Sequence, residues 1–252
     1  MAEFLESPSG RRIAYSYTKG DGPGVVFLGG FMSDMAGSKA TFLEKWAKET
    51  RRAFVRFDYS GHGQSDGAFT QGAIGDWTDD ALAVVDQLTQ GPQILVGSSM
   101  GGWISLLVAK ARPERIAGFV GIAAAPDFTE DMFNHALSEA QRTEVMEQGQ
   151  TLLASEYDDP YPITKRLIEE GRNNFVMSAP LSVSGPVRLL VARDDAIVTA
   201  ETQLALLDHI LSEDVRATIV KGGDHSFSSP ENLTLIQKTI HSVTEAIAHV
   251  PN

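Results

Sequence analysis

The pentapeptide Gly97-Ser98-Ser99-Met100-Gly101 directly follows the run Gln93-Ile94-Leu95-Val96 and opens an apolar-periodic segment that extends to Ala111. A chain that passes from strand to helix over so few residues must turn sharply, and neighbouring elements then crowd the turn. Positions two before and two after Ser99 tolerate that crowding only if they lack a side chain, and glycine stands at both. The serine is thus expected on a strained strand-to-helix turn, its hydroxyl presented at the end of a sheet.

The rest of the chain has the rhythm such a turn requires. Arg12 to Thr18 alternates as an edge or near-edge strand does, and Lys19 to Gly24 breaks it. Val25–Leu28, Ala53–Phe57, Ile94–Val96, Ile116–Ile122, Val187–Val191 and Val215–Val220 are short apolar runs of the kind covered on both faces. Between them lie helical patterns. Trp77 to Leu88 carries a stripe of Ala81, Leu82, Val85 and Leu88, and Met100 to Ala111 repeats the theme with Ile104, Leu107 and Val108. Thr199 is placed to cap a helix running to Leu211, and Ser229-Pro230 to open a last one. Strands alternating with helices in this way predict an α/β fold with a mostly parallel sheet and helices on both faces, its ligands bound beyond the strands' carboxyl ends.

One segment departs from the alternation. Pro126 to Pro180 shows no strand pattern and reads as two or three helices, including Glu130–Gln150 and Ile163–Asn173, joined by the turn-rich Tyr157-Asp158-Asp159-Pro160-Tyr161-Pro162. It is too long for a single crossover and is expected to form a helical cap, residues 126–180, on a core of residues 1–125 and 181–252. Its Phe128, Met132, Phe133, Leu137, Met146, Leu152, Leu153, Phe175 and Met177 supply apolar surface for a binding space or for fastening the cap.

Composition narrows the chemistry. With a net charge of −12, the chain repels nucleic-acid backbones and anionic surfaces, so no nucleic-acid partner is expected. There is no cysteine, which excludes disulfides, thiolate nucleophiles and thiolate metal sites. No zincin spacing of histidines occurs, and neither metal nor cofactor is expected. No stretch approaches the ~20 apolar residues of a membrane span, and no basic segment precedes an apolar one at the N-terminus. The expectation is a cytoplasmic protein without stable membrane insertion. Oligomeric state is not legible.

A serine hydroxyl becomes a nucleophile only when a base takes its proton, and that base needs an acceptor on its other nitrogen. Of the six histidines, only His225 lies in a glycine-flanked loop directly after a strand. His62 falls in the tight turn Asp58-Tyr59-Ser60-Gly61-His62-Gly63-Gln64-Ser65, which lacks the spacing of a phosphate or dinucleotide loop and is read as structural. For the acid, Asp194 and Asp195 compete. The run Ala196-Ile197-Val198 favours Asp195 by anchoring its side of the turn. Acyl transfer also develops an oxyanion, for which the backbone N–H groups of Met100 and of Phe31, in Gly29-Gly30-Phe31, are the candidate donors.

From Gly29-Gly30-Phe31 through Asp58 to Ser65 and the Ser99 turn to Asp195 and His225, the chain resembles the α/β-hydrolase superfamily. Many members carry His-Gly before the oxyanion donor, whereas Gly29 occupies that histidine position here. A closer resemblance is to the abhydrolase domain-containing protein 10 family, through Arg56-Phe57-Asp58-Tyr59-Ser60-Gly61, Asp66-Gly67, Gly91 to Ser99 and Gly101-Gly102-Trp103. That resemblance implies an α/β-hydrolase fold with its cap between strands six and seven, and a catalytic set of Ser99, Asp195 and His225. Animal members are mitochondrial, remove S-palmitoyl groups from protein cysteines and hydrolyse acyl glucuronides. The implied substrate is an acyl thioester or ester, including an acylated protein. A small-molecule carboxylesterase or acyl glucuronide esterase is the alternative. Behind these stand lactone, amide or carbon–carbon hydrolysis and a noncatalytic binding protein on the same fold.

Overall fold

The apolar runs form the middle of an eight-stranded sheet in the computed structural model, which describes residues 2–155 and 160–249. The chain enters through β1 (Glu3–Glu6), β2 (Arg12–Thr18) and β3 (Asp21–Leu28). It continues through α1 (Ser38–Thr50), β4 (Arg52–Phe57), α2 (Ile74–Leu88), β5 (Gln93–Ser98), α3 (Met100–Ala111) and β6 (Ile116–Ile122). An inserted segment holds α4 (Phe128–Asp131), α5 (Glu139–Gln148), β7 (Gln150–Leu153), β8 (Tyr161–Thr164) and α6 (Lys165–Arg172). Then come β9 (Leu181–Ser182), β10 (Val187–Ala192), α7 (Ala200–His209), β11 (Ile210–Leu211), β12 (Val215–Val220) and α8 (Pro230–Ala248).

Strand order in the large sheet is β1-β2-β4-β3-β5-β6-β10-β12, antiparallel at β1/β2 and β2/β4 and parallel elsewhere. Alternation along each strand sends Val26, Leu28 and Leu95 to the face covered by α2, α3 and α7. Val25, Phe27, Ile94 and Val96 go to the face covered by α1 and α8. This two-sided burial is what continuous apolar runs encode. The end strand β12 departs from it: with no strand beyond it, each of its residues is half-buried or exposed, and Ile219 is 53% exposed. The N-terminal β1, too short and charged to be read from its pattern, pairs with β2 from Glu3↔Tyr15 to Glu6↔Arg12.

Helix ends follow local chemistry. Ser229 caps α8, accepting from the Asn232 N–H at 3.2 Å, with Pro230 in the first turn. Thr199 caps α7 by accepting from the Thr202 N–H. That helix ends at His209, short of Leu211, because Ile210 and Leu211 pair with β9. The predicted helix from Trp77 begins earlier, at Ile74, where the Asp76 carboxylate accepts from the Ala73 N–H at 3.0 Å.

The inserted segment is less helical than its sequence pattern. The expected helix Glu130–Gln150 breaks at extended Leu137. There Ser138 and Gln141 form a capping box that starts α5 afresh. The expected helix from Ile163 begins only at Lys165, capped by the Thr164 hydroxyl, and its predicted first residues are strand β8. β7 and β8 pair antiparallel from Gln150↔Thr164 to Leu153↔Tyr161, with Pro162 in a strand that has a partner on one side only. Of the predicted turn Tyr157 to Pro162, Tyr157 to Asp159 lie outside the described residues, and Tyr161 and Pro162 belong to β8 instead. Leu137, Val145, Ile163 and Ile168 form a small apolar cluster of their own.

This segment is fastened to the sheet domain at several points. The Glu170 carboxylate accepts from the Gly75 N–H at the start of α2, at 3.1 and 3.0 Å, where a helix terminus favours negative charge. Arg166 pairs with Asp76 at 2.6 Å, and the Trp103 indole donates to the Asn174 carbonyl at 2.9 Å. At its base Asp127 accepts from the Val176 and Met177 N–H groups.

Candidate active site

β5 lies between β3 and β6, with Gly97 opposite Leu28 on one side and Gly121 on the other, so the turn after β5 opens at the middle of the sheet. Ser99 has φ 53° and ψ −120°, a conformation that a residue with a side chain holds only under constraint. Its N–H donates to the Ile122 carbonyl at 2.9 Å. Its own carbonyl accepts from Gly102 at 2.8 Å and Ala125 at 3.1 Å. A Cβ at Gly97 would sit 2.3 Å from the Gly101 carbonyl oxygen, and one at Gly101 would sit 2.1 Å from that of Leu28. Both glycines are therefore required by packing.

Loops from three strands converge on this turn. His225, in the loop after β12, places Nε2 at 2.9 Å from Ser99 Oγ and Nδ1 at 2.8 Å from Asp195 Oδ2. Asp195 lies in the loop after β10. Its Oδ1 accepts from the Ile197 and Val198 N–H groups at 2.8 and 2.9 Å, and Gln203 Nε2 donates to Oδ2 at 3.1 Å. The carboxylate is sealed from solvent, while the His225 side chain is 20% exposed. Burial works to raise the Asp195 carboxyl. The His225 hydrogen bond and charge, with the Val198 and Ile197 amides, outweigh it and hold the group below its ordinary value. Asp194 turns away and accepts from the Gly222 N–H at 2.7 Å, so Asp195 is the acid that meets the imidazole.

Gln203 is a site residue that the sequence reading missed. It is 2% exposed, accepts from the Ala192 N–H at 3.0 Å and donates to both Val198 O and Asp195. Its one sequence signal is an amide four residues after the cap Thr199, on the inward face of α7. The histidine loop is held from α1: the Lys39 ammonium donates to the Ser226 carbonyl, and Ser38 Oγ lies 3.1 Å from Ser228 Oγ. Burial pushes Lys39 down to about 8, against the opposing pull of Asp224.

The loop after β3 brings Gly30, the residue before Phe31, against the same turn, for a Cβ at Gly30 would lie 3.4 Å from Ser99 Cβ. Among the described residues the N–H groups of Phe31 and Met100 have no acceptor. The next amide, Met32 N–H, donates to His62 Nε2 at 3.3 Å. His62 is buried, and burial lowers it to about 4, so the ring is neutral near neutral pH. Its turn is structural in the sense expected, since a Cβ at Gly63 would lie 2.2 Å from Asp58 Oδ2.

Aromatic rings surround the Phe31 side chain edge-on: Phe69 at 5.0 Å, Phe128 at 5.5 Å and Tyr161 at 5.7 Å between centroids. The last two belong to the inserted segment, whose apolar residues divide in role. Leu137 is internal to its small cluster, Phe128 and Met132 pack toward the main core, and Leu152 is 58% exposed.

Comparison with known proteins agrees with this architecture. The serine aminopeptidase S33 family matches over residues 24–165. The palmitoyl-protein thioesterase ABHD10, mitochondrial, of Rattus norvegicus is 37% identical over 98% of this chain and 84% of its own length. Among solved structures, the alpha/beta hydrolase domain-containing protein 10 from mouse superposes with a TM-score of 0.89 at 36% identity, covering 97% of this chain and 98% of that one. A crystal structure from Agrobacterium vitis S4 gives a TM-score of 0.92 at 36% identity, covering 96% and 98%. No described helix is long and apolar enough to cross a membrane. Sheet order, turn geometry and similarity along nearly the whole chain lead to one conclusion: this protein is a hydrolase of the α/β-hydrolase superfamily and belongs to its ABHD10 family.

Proposed function

We propose that the chain is a serine-dependent hydrolase of carboxylic thioesters and esters, working through an acyl-enzyme on Ser99. The observation that carries this reading is the unbroken hydrogen-bonded chain from Ser99 Oγ through His225 to Asp195, set beside two unengaged amides. In the first half-reaction Ser99 Oγ attacks the acyl carbonyl carbon and its proton passes to His225 Nε2, while Asp195 stabilises the imidazolium. Charge gathers on the carbonyl oxygen, which the N–H groups of Phe31 and Met100 receive. The carbon–sulfur or carbon–oxygen bond then breaks, and His225 returns the proton to the leaving thiol or alcohol. In the second half-reaction water gives a proton to His225 and its oxygen attacks the acyl carbon. Ser99 Oγ leaves, recovers the proton and the carboxylic acid departs.

Residues 126–180 act in this reading as a cap over the serine, placing Phe128 and Tyr161 beside the Phe31 ring. The family favours an S-acylated protein cysteine as substrate, since the relatives sharing nearly the whole chain are named palmitoyl-protein thioesterases. A panel of esters and thioesters graded from acetyl to palmitoyl, compared by kcat/KM, tests it. A maximum at long-chain thioesters is expected. A maximum at short esters would replace the depalmitoylase reading with a small-molecule esterase, and no turnover on any member would remove ester and thioester hydrolysis altogether.

A further inference from the structure

Two adjacent amides, of Phe31 and Met32, leave β3 near the serine, and only one can be aimed at a developing oxyanion. Met32 has φ 55°, an uncommon conformation for a residue with a side chain, and the loop must be held to keep it. The holding groups come from β4 and the segment after it. Asp58 Oδ1 accepts from the Met35 N–H at 2.6 Å, Arg56 donates to the Met35 carbonyl, and His62 Nε2 accepts from the Met32 N–H. The His62 ring is itself fixed. Its Nδ1 lies 3.2 Å from the Ser60 carbonyl, an acceptor, so Nδ1 carries the proton and Nε2 keeps its lone pair. Tyr59, Phe69 and Trp77 meet it edge-on at 5.7, 5.1 and 5.1 Å, and Phe31 packs on the same Phe69 and Trp77.

We infer that His62 is a positioning residue for the oxyanion hole: by engaging the Met32 amide it fixes the loop so that the Phe31 amide is the one left free beside Ser99. The support comes from a second loop, in a chain whose own position 29 is glycine. His62 touches no reacting atom. It acts through the Met32 backbone and through the rings it shares with Phe31.

The inference rests on the proposed serine mechanism, and its test separates the two. Labelling of Ser99 by a fluorophosphonate in the unmodified protein checks the mechanism alone. For His62 itself, ¹⁵N NMR of the unmodified protein is expected to find Nδ1 protonated and Nε2 unprotonated and accepting from the Met32 amide. A protonated Nε2 would overturn the assignment without any variant. In turn, His62→Phe keeps a ring but loses the acceptor. Its kcat on an activated ester is expected to fall on the order of 10- to 100-fold with KM little changed, and His62→Gln, whose carbonyl can accept at the Nε2 position, should recover part of the loss. A folded His62→Phe with the kcat of the unmodified protein would overturn the proposal, as would a Gln variant no better than Phe. A purely structural role would lower Tm in both variants and leave the turnover of the folded fraction intact.

Discussion

Ser99 holds its positive φ because three backbone hydrogen bonds and two glycines leave it no alternative. Gly101→Ala is expected to cost on the order of 1–3 kcal/mol or more, read by urea denaturation, since the added Cβ meets the Leu28 carbonyl. Ser99→Ala is expected to keep the fold and to remove the proposed nucleophile. Turnover should fall by about 10⁴- to 10⁶-fold, with no acyl adduct by mass spectrometry. Asp195→Asn should lose about 10⁴-fold in kcat, while Asp194→Asn, whose carboxylate only ties down Gly222, should stay close to the unmodified rate. The serine turn and His225 were legible because glycine spacing and loop position are local properties of a sequence. The preference for Asp195 over Asp194 was legible in the run Ala196-Ile197-Val198, whose Ile197 and Val198 amides hold the Asp195 carboxylate. The contacts of Gln203 and His62 were not legible, because they depend on how loops fold back: Gln203 meets the Ala192 and Val198 backbone and the Asp195 carboxylate, and His62 meets the Met32 amide of another loop.

Helices and strands of the sheet domain were readable where pattern and packing agree, as in Met100–Ala111, whose predicted and observed ends coincide. The inserted segment was not, because short elements there are set by individual caps. Ser138 restarts a helix, Thr164 delays one, and pairing across the hairpin overrides the helical pattern at Ile163. Its docking is testable at Glu170, which satisfies an amide at the start of α2: Glu170→Ala should lower stability by about 1 kcal/mol, measured by urea denaturation. A second element-scale contact gives a pH dependence. Glu44, on α1, would be raised by burial, yet the Ser16 hydroxyl, Arg56 and Lys48 outweigh this and hold it at about 2. Its folded value lies below its unfolded one, so its contribution is complete above the ordinary carboxyl range and is lost as pH falls from there toward about 2. Urea titrations at neutral and acid pH should show a shallower acid loss for Glu44→Gln than for the unmodified protein.

Across the whole molecule, the parallel strands deliver three loops to one edge of the sheet, although Ser99, Asp195 and His225 lie far apart in sequence. That convergence follows from strand order, which the alternation of runs implied only in outline: it predicted a parallel sheet but not the antiparallel β1 or the open face of β12. The net charge of −12 has no counterpart in the candidate site, which assembles one serine hydroxyl, one imidazole, one carboxylate and backbone amides. In the proposed mechanism these groups act as one nucleophilic unit at Ser99. The most direct test is to treat the intact protein with a fluorophosphonate, digest it and map the adduct by mass spectrometry, with His225→Ala in parallel. A single adduct is expected on the peptide bearing Ser99, formed far more slowly in His225→Ala. An unlabelled Ser99, or labelling at an undiminished rate without His225, would contradict that mechanism.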